Sequence, residues 1–429
     1  MRCFRRFVFF VFVLKGFCSN GQSPFNQPNT DTLALTIYDA EQLFLKRNYQ
    51  LLAASYNIDA YNAAIIQAKL YPNPTLSIDQ GAYNHVANTW FDVGKTGQTA
   101  ASLQQLILLG GKRNISIEMA KLNTHMAQYA FFDLMSSLRY QLITNFYHLY
   151  FLQQSAHVYE SEIEALDSMI NAYNDSYQKG NISLLEYSRI QSLRFSLQNE
   201  MNDLLKNMHE CEANLTVMIA DTSMKEIKPV VTENLSLSPK FSELRYEQLL
   251  DSALNNRYDL LQANAQCLYE KLNLSLQKAY RIPDITTGAN WDRAGSYISN
   301  YNSVSLAFDL PFLNRNQGNI KSAQFKINES QALYQNTEMQ IKTEVQKAWL
   351  RVLETNQTYS KGMSQFNPQY DLLLDGILKS FKNKTISLVE FIDYYETYKN
   401  SKVAFHQLQY QMVEAKENLN RVTGSVIFK

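Results

Sequence analysis

The sequence predicts a mixed fold, mainly α, in which each of two similar halves contributes two short strands and a hairpin of long helices. Three observations predict it. Segments near 47–52, 69–74, 177–186 and 214–215 recur in the same order, displaced by 204–209 residues. Apolar residues return at alternating steps of three and four over long stretches, the mark of helices packed side by side. Only 14 Gly and 9 Pro punctuate 429 residues, which suits long helices better than many short strands.

The chain opens like an export signal. Arg2, Arg5 and Arg6 precede an apolar run of 8 residues at 7–14, and Ser19 and Gly21 are small residues placed for cleavage before Gln22. A spanning helix needs ~20 apolar residues, and Lys15 cuts this run short. Cys18 raises lipid attachment, against which Phe17 stands where a small residue is wanted. Residues 1–21 are therefore expected to be a cleavable signal and 22–38 an N-terminal extension. Cys211 and Cys267 would then be the remaining thiols. They can pair after export, but one pair is no disulfide framework, and Cys211 falls on an apolar helical seam.

The repeat sets the organisation. Arg47-Asn48-Tyr49-Gln50-Leu51-Leu52 answers Asn256-Arg257-Tyr258-Asp259-Leu260-Leu261, and Lys69, Tyr71 and Pro74 answer Lys278, Tyr280 and Pro283. Gly180-Asn181-Ile182-Ser183 and the Glu186 beyond it answer Lys384-Thr385-Ile386-Ser387 and Glu390. Asn214-Leu215 answers Asn418-Leu419. The expected divisions are a first repeat at 39–225, an inter-repeat segment at 226–246, and a second repeat with C-terminal tail at 247–429.

Each repeat opens with a helical stretch, 39–70 or 243–279. Two weakly alternating strands follow, 75–83 and 99–108 in the first half, 284–291 and 303–310 in the second. In the first strand Leu76, Ile78 and Ala82 alternate with Ser77, Asp79 and Gly81. A long rod then begins near Lys112 or Gln317. Its seam runs Leu149, Leu152, Ala156, Tyr159, Ile163, Leu166, Ile170, Tyr173 and Tyr177 in the first half. In the second it runs Val352, Asn356, Tyr359, Met363, Phe366, Tyr370, Leu373 and Ile377. The 67 residues of 112–178 make a rod of about 100 Å. Gly180 ends it, a returning helix carries Leu204, Met208, Cys211, Leu215 and Met218, and Pro368 is expected to bend the second rod.

A rod this long does not fit inside a compact monomer of this size, so it is either a coiled-coil spacer or part of the wall of a tube. The strands bear on that choice. No run of 18 apolar residues follows the signal, so membrane entry would be as a β-barrel. Four strands leave two open edges, whose hydrogen bonds lipid cannot satisfy. A membrane barrel would have to be shared between chains, and three copies give about twelve strands, within the known range.

The export signal, twofold repeat, paired strands, long helices and tip turns together resemble the TolC-type outer-membrane efflux proteins over nearly the whole mature chain. Tyr71-Pro72-Asn73-Pro74 resembles that family's step from helix into first barrel strand. Leu109-Gly110-Gly111-Lys112-Arg113 and the run 310–318 resemble its exits into the long helices. That run, with Pro368, is similar to the branch that serves heavy-metal efflux pumps.

The resemblance implies a homotrimer: a twelve-stranded barrel in the Gram-negative outer membrane, continued by an α-helical tunnel into the periplasm. Residues 221–242 and the C-terminal tail would join a girdle around the tunnel. It implies a passive exit duct for small solutes or metal ions, not an enzyme and without cofactors. The partners implied are a periplasmic adaptor, an inner-membrane transporter expected to be proton-driven, and outer-membrane lipid. Two alternatives stay open: the exit duct of a protein-secretion system, and a periplasmic coiled-coil interaction protein that never meets lipid.

Two sets of working residues follow from the resemblance. Gly180, Asn181, Ile182 and Ser183, with Lys384, Thr385, Ile386 and Ser387, would form tip turns that dock the adaptor. The same residues also read as a helix stop followed by a serine cap, and both readings can hold. Glu390 and Asp393, three apart on one helical face, match the family's acidic constriction, with Glu in place of Asp at the first position. Three copies would bring six carboxylates together, a ring that attracts cations and in which crowding should raise some pKa values. The competing reading is a solvated acidic face beside Lys382 and Lys384. Glu186 holds the equivalent place in the first half, but Arg189 replaces the second acid, which either narrows the charge effect or supplies an ionic latch.

Other chemistries find little. Lys and Arg number 40 and Asp and Glu 40, so no basic excess marks a nucleic-acid face. Histidines 85, 125, 148, 157, 209 and 406 form no ligand-spaced cluster, and no phosphate-cradling loop or nucleophile motif is present.

Overall fold

The computed structural model describes residues 32–223, 225–231, 245–294, 298–365 and 368–428. The expected signal, with Cys18, lies outside the described residues, as does 232–244 of the inter-repeat segment. In chain order, β1 (Thr32–Thr36), α1 (Ile37–Arg47) and α2 (Tyr49–Lys69) lead to β2 (Thr75–Gln80), β3 (Tyr83–Asn84), β4 (Thr89–Trp90) and β5 (Thr99–Ile107). Then come α3 (Lys112–Gln178), α4 (Leu184–Ile219) and β6 (Glu226–Val230). The remainder is α5 (Tyr246–Asn256), α6 (Tyr258–Ala279), β7 (Ile285–Asp292), β8 (Tyr301–Phe308), α7 (Gln317–Gln365), α8 (Pro368–Lys382) and α9 (Leu388–Thr423).

The two opening helices are each broken where one helix was expected. Asn48 is buried and extended (φ −62°, ψ 119°). Its Oδ1 accepts from the amides of Gln50 and Leu51 at 3.0 and 3.1 Å, capping α2, while its Nδ2 donates to the Met218 carbonyl at 3.0 Å. At the matching place, Arg257 is extended (φ −70°, ψ 125°) and gives its guanidinium to Asp259 at 2.6 Å and Glu344 at 2.5 Å. These partners are distant in sequence or belong to the next element, so propensity along the chain does not reveal the breaks.

α3 runs unbroken from Lys112 to Gln178, the span expected of the first rod. Leu149, Ala156, Tyr159 and Leu166 are buried against Ile190, Leu197, Leu204, Cys211 and Leu215 of α4 and Phe391 and Tyr395 of α9. Each such aliphatic side chain contributes roughly 1.5–3 kcal/mol by leaving water, more than helix propensity supplies. In the second rod α7 is described to Gln365 and α8 from Pro368, and residues 366–367, beside the expected bend, lie outside the described residues. Val352, Tyr359 and Ile377 of the second seam are buried, but Leu373 is exposed. Met363 and Phe366 lie outside the side chains described. A second core joins α5, α6, α7 and α9, closed by Phe428 of the tail. Asn420 clasps that tail, its Oδ1 accepting from the amides of Ile427 and Phe428 at 2.8 and 2.9 Å.

β1 and β6 pair in parallel, an element the sequence reading missed. The other strands make an antiparallel four-stranded sheet in the order β2-β5-β7-β8, with β3 and β4 a small separate hairpin. β2 ends at Gln80, so Gly81 and Ala82 lie beyond it.

Candidate functional site: the two-faced sheet, its junction with the rods, and the hairpin tips

Register assigns every sheet residue to a face. One face carries the cross-strand rows Leu76–Leu103–Ala289–Val304 and Ile107–Ile285–Phe308. The other carries Ser77–Ser102–Asn290–Ser303 and Gln104–Gly288–Ser305. Leu76 is 63% exposed and Val304 87%, so much of the apolar face lies open in the single chain. Among the described residues, β2 and β8 have no strand partner along their outer sides. Strands of 6, 9, 8 and 8 residues approach the ~9–11 that a tilted membrane strand uses.

The sheet is bolted to the rods. Gly110 (φ +68°) and Gly111 (φ +73°) turn the chain out of β5 in the left-handed region, and a Cβ on Gly110 would meet Ile282 Cδ1 at 3.0 Å and Ala279 O at 3.2 Å. The first two side chains of α3 then act as clamps. Lys112, 5% exposed, donates to the Ile282 carbonyl and to Asp284 Oδ1, each at 2.7 Å, with Tyr280 beneath it at 5.4 Å. Arg113 donates to the Lys69 carbonyl at 3.0 and 2.6 Å and lies 4.2 Å over Tyr71. Tyr71 and Tyr280, matched by the repeat, thus each receive a cation from the start of α3. At the second exit, Asn316 (φ 56°) donates to the Gln277 carbonyl at 2.8 Å.

At the first tip, Gly180 (φ +72°) donates its amide to Tyr177 O at 2.8 Å and Asn181 to Ser176 O at 2.9 Å, a helix stop of the Schellman kind. Lys384 (φ 57°) makes the same turn at the second tip, its amide to Phe381 O at 2.9 Å and that of Thr385 to Ser380 O at 3.0 Å. Ser183 and Ser387 each complete a capping box with Glu186 and Glu390. Ile386 packs on the core and Ile182 is half-buried, while Asn181, Ser183, Lys384, Thr385 and Ser387 are exposed.

Glu390 and Asp393 are both exposed on α9. The Glu390 carboxylate accepts from the Ser387 amide at 2.7 Å, and the hydrogen bonds of Ser387 hold it below the usual carboxylate range. Within one chain, then, the shift at Glu390 runs opposite to the crowding expected of a ring. Glu186 likewise accepts from the Ser183 amide at 2.9 Å. The structure places both glutamates as caps of their own helices.

Cys211 and Cys267 are free and buried. Cys211 Sγ lies 3.4 Å from His148 Nδ1, and His148 stacks on Tyr410 at 4.3 Å. Among the described residues no three His, Cys, Asp or Glu gather to hold a metal, and no helix is long and apolar enough to cross a membrane. Sequence reasoning missed the Lys112–Asp284 clamp. Its one legible trace was the pairing of Tyr71 with Tyr280, both followed by proline at a fixed distance.

Comparison with known proteins matches this arrangement. The family model described as outer membrane efflux protein matches twice, over residues 41–221 and 249–425. The cobalt-zinc-cadmium resistance protein CzcC of Cupriavidus metallidurans is 22% identical over 290 residues, a stretch spanning 67% of this chain and 66% of CzcC, just under two thirds of that relative. In fold, the chain is similar to the Campylobacter jejuni CmeC outer membrane channel, with TM-score 0.73 and 14% identity over 91% of this chain and 86% of that one. It is also similar to CusC, a structure described in terms of transmembrane channel formation, with TM-score 0.72 and 14% identity over 91% and 92% of the two chains. With 41–221 and 249–425 both matched, most of the sequence is accounted for, and the chain belongs to the outer membrane efflux protein family.

Proposed function

We propose that this protein is the outer-membrane channel subunit of a tripartite efflux pump, a passive exit duct assembled from three copies. The observation that carries the reading is the open-edged sheet with one apolar and one polar face. Its four strands alternate in direction, so β8 of one copy and β2 of the next run antiparallel, and copies can close a ring without a parallel seam. Three sets of four strands make twelve, apolar rows outward to lipid and polar rows to a water-filled lumen.

The rods, about 100 Å for α3's 67 residues, would continue that lumen into the periplasm. Residues 39–225 and 247–429 act as two repeats of one wall unit, exported behind a cleaved signal at 1–21. The tip turns 180–183 and 384–387 offer docking places for a periplasmic adaptor, and a proton-driven inner-membrane transporter supplies the energy. CzcC's printed name favours metal ions among the cargoes. No bond is made or broken, so binding along the path is best weak.

Projection images of detergent-solubilised particles test the reading: threefold particles with a rod of about 100 Å are expected. Release of the protein into the aqueous periplasmic fraction without detergent would overturn it. The acidic constriction has its own measurement. Replacing Glu390 and Asp393 together with Ala should reduce the cation preference of single pores, read as reversal potential. An unchanged potential would leave Glu390 as a cap and Asp393 as a solvated charge.

A further inference from the structure

Where α3, α4 and α9 meet, ionisable side chains sit inside packing that is otherwise aliphatic and aromatic. Glu162 of α3 is 0% exposed, and neither of its carboxylate oxygens has a hydrogen-bond partner. Tyr395 of α9 donates its hydroxyl at 2.6 Å to the backbone carbonyl of Glu162, leaving the carboxylate untouched. One turn further along α9, Lys399 is 4% exposed and its Nζ lies 2.5 Å from Glu200 Oε2 of α4. Tyr159 of α3 donates to that same oxygen at 3.1 Å. The nearby buried cation is therefore committed to Glu200, whose side chain keeps 39% of its surface in water.

The groups facing Glu162 come from each packed helix. α3 adds Tyr159, α4 adds Glu200, and α9 adds Tyr395, Glu396 and Lys399. An ionised carboxylate without a partner in such a place is strongly disfavoured. Burial is the main cause that pushes the Glu162 carboxyl up to about 8; Lys399 opposes it, and Glu200 and Glu396 add to it.

We propose that Glu162 is a proton-binding site that locks α9 onto the α3–α4 hairpin. With the proton bound, the side chain is neutral and the three-helix seam stays packed, with Lys399 on Glu200. When the proton leaves to solvent, the new carboxylate competes with Glu200 for Lys399 and draws water into the seam, loosening α9. Because the packed state holds the proton more tightly than an open one, packing is firmest at low pH. It weakens as pH rises from the ordinary glutamate value of 4.5 to about 8, then levels off. The device lies within one chain and stands apart from the transport reading.

Hydrogen–deuterium exchange on the purified full-length protein in detergent tests it, with rates corrected for the chemical pH dependence of exchange. Between about pH 6 and about pH 9, amides of α9 around Tyr395 and Lys399 should exchange roughly tenfold faster or more. In Glu162→Gln this rise should vanish, together with the infrared carbonyl band of a protonated carboxyl at neutral pH. A wild-type profile without the rise, or a Glu162→Gln profile that keeps it, overturns the proposal. Should Glu162→Gln not fold, Lys399→Met decides: removing the cation should move the rise to higher pH, and an unmoved rise overturns the proposal.

Discussion

The two hairpin tips build one turn from different parts. The first follows α3 and turns on a glycine; the second follows α8 and turns on Lys384, a side chain in the left-handed region. Behind the first turn, Tyr177 stacks on Tyr187 at 5.6 Å; behind the second, Phe381 stacks on Phe391 at 4.5 Å. These are matched positions, yet Phe391 is 0% exposed and Tyr187 only half-buried. The second tip gains in aromatic burial what it loses in backbone ease. The first is held by a cheap turn.

The contrast is open to attack, beginning where the effect is greatest. Phe391→Ala should destabilise the second tip by about 3–5 kcal/mol, whereas Tyr187→Ala should cost the first about 1–2 kcal/mol. Hydrogen exchange of the tip amides would show the difference, and equal losses would erase the contrast. Ser183→Ala and Ser387→Ala should each cost about 1 kcal/mol, since each removes a capping box.

Ser387→Ala should also change the response to acid. Glu390 is held below the ordinary value, so its contribution is full above that value and is lost as pH falls through the lowered one. Exchange at the second tip should therefore quicken in acid, and less so in the variant. The smallest effects concern the turns. Gly180→Ala should cost about 1 kcal/mol and Lys384→Gly should gain about 0.5 kcal/mol, opposite signs at equivalent places.

Much of the helical fold was legible because its signals are local and periodic. The seam from Leu149 to Tyr177 marks the C-terminal half of α3, whose start was expected near Lys112, and Gly180 and Ser183 mark its stop and the next start. All four sheet strands lie within a few residues of their expected places. What stayed hidden depends on partners far away in sequence. Asn48 breaks a helix because Met218, 170 residues on, takes its amide. β1 meets β6 across the whole first repeat, and five residues give too little pattern to announce either. Glu162 looked like any helical glutamate; only the approach of α9 makes it a buried one. Of the tips, sequence gave the turn and the cap, but not that Glu390 would be bent back onto Ser387.

The bare outer sides of β2 and β8 matter before any complex exists. A single copy carries two strand templates and a greasy sheet face, ready to join any other extended chain it meets. If three copies close the barrel, as proposed above, the wait for two siblings lengthens steeply as fewer are made. On that proposal, halving synthesis should more than halve the finished particles, with the shortfall appearing as degraded or clumped single chains.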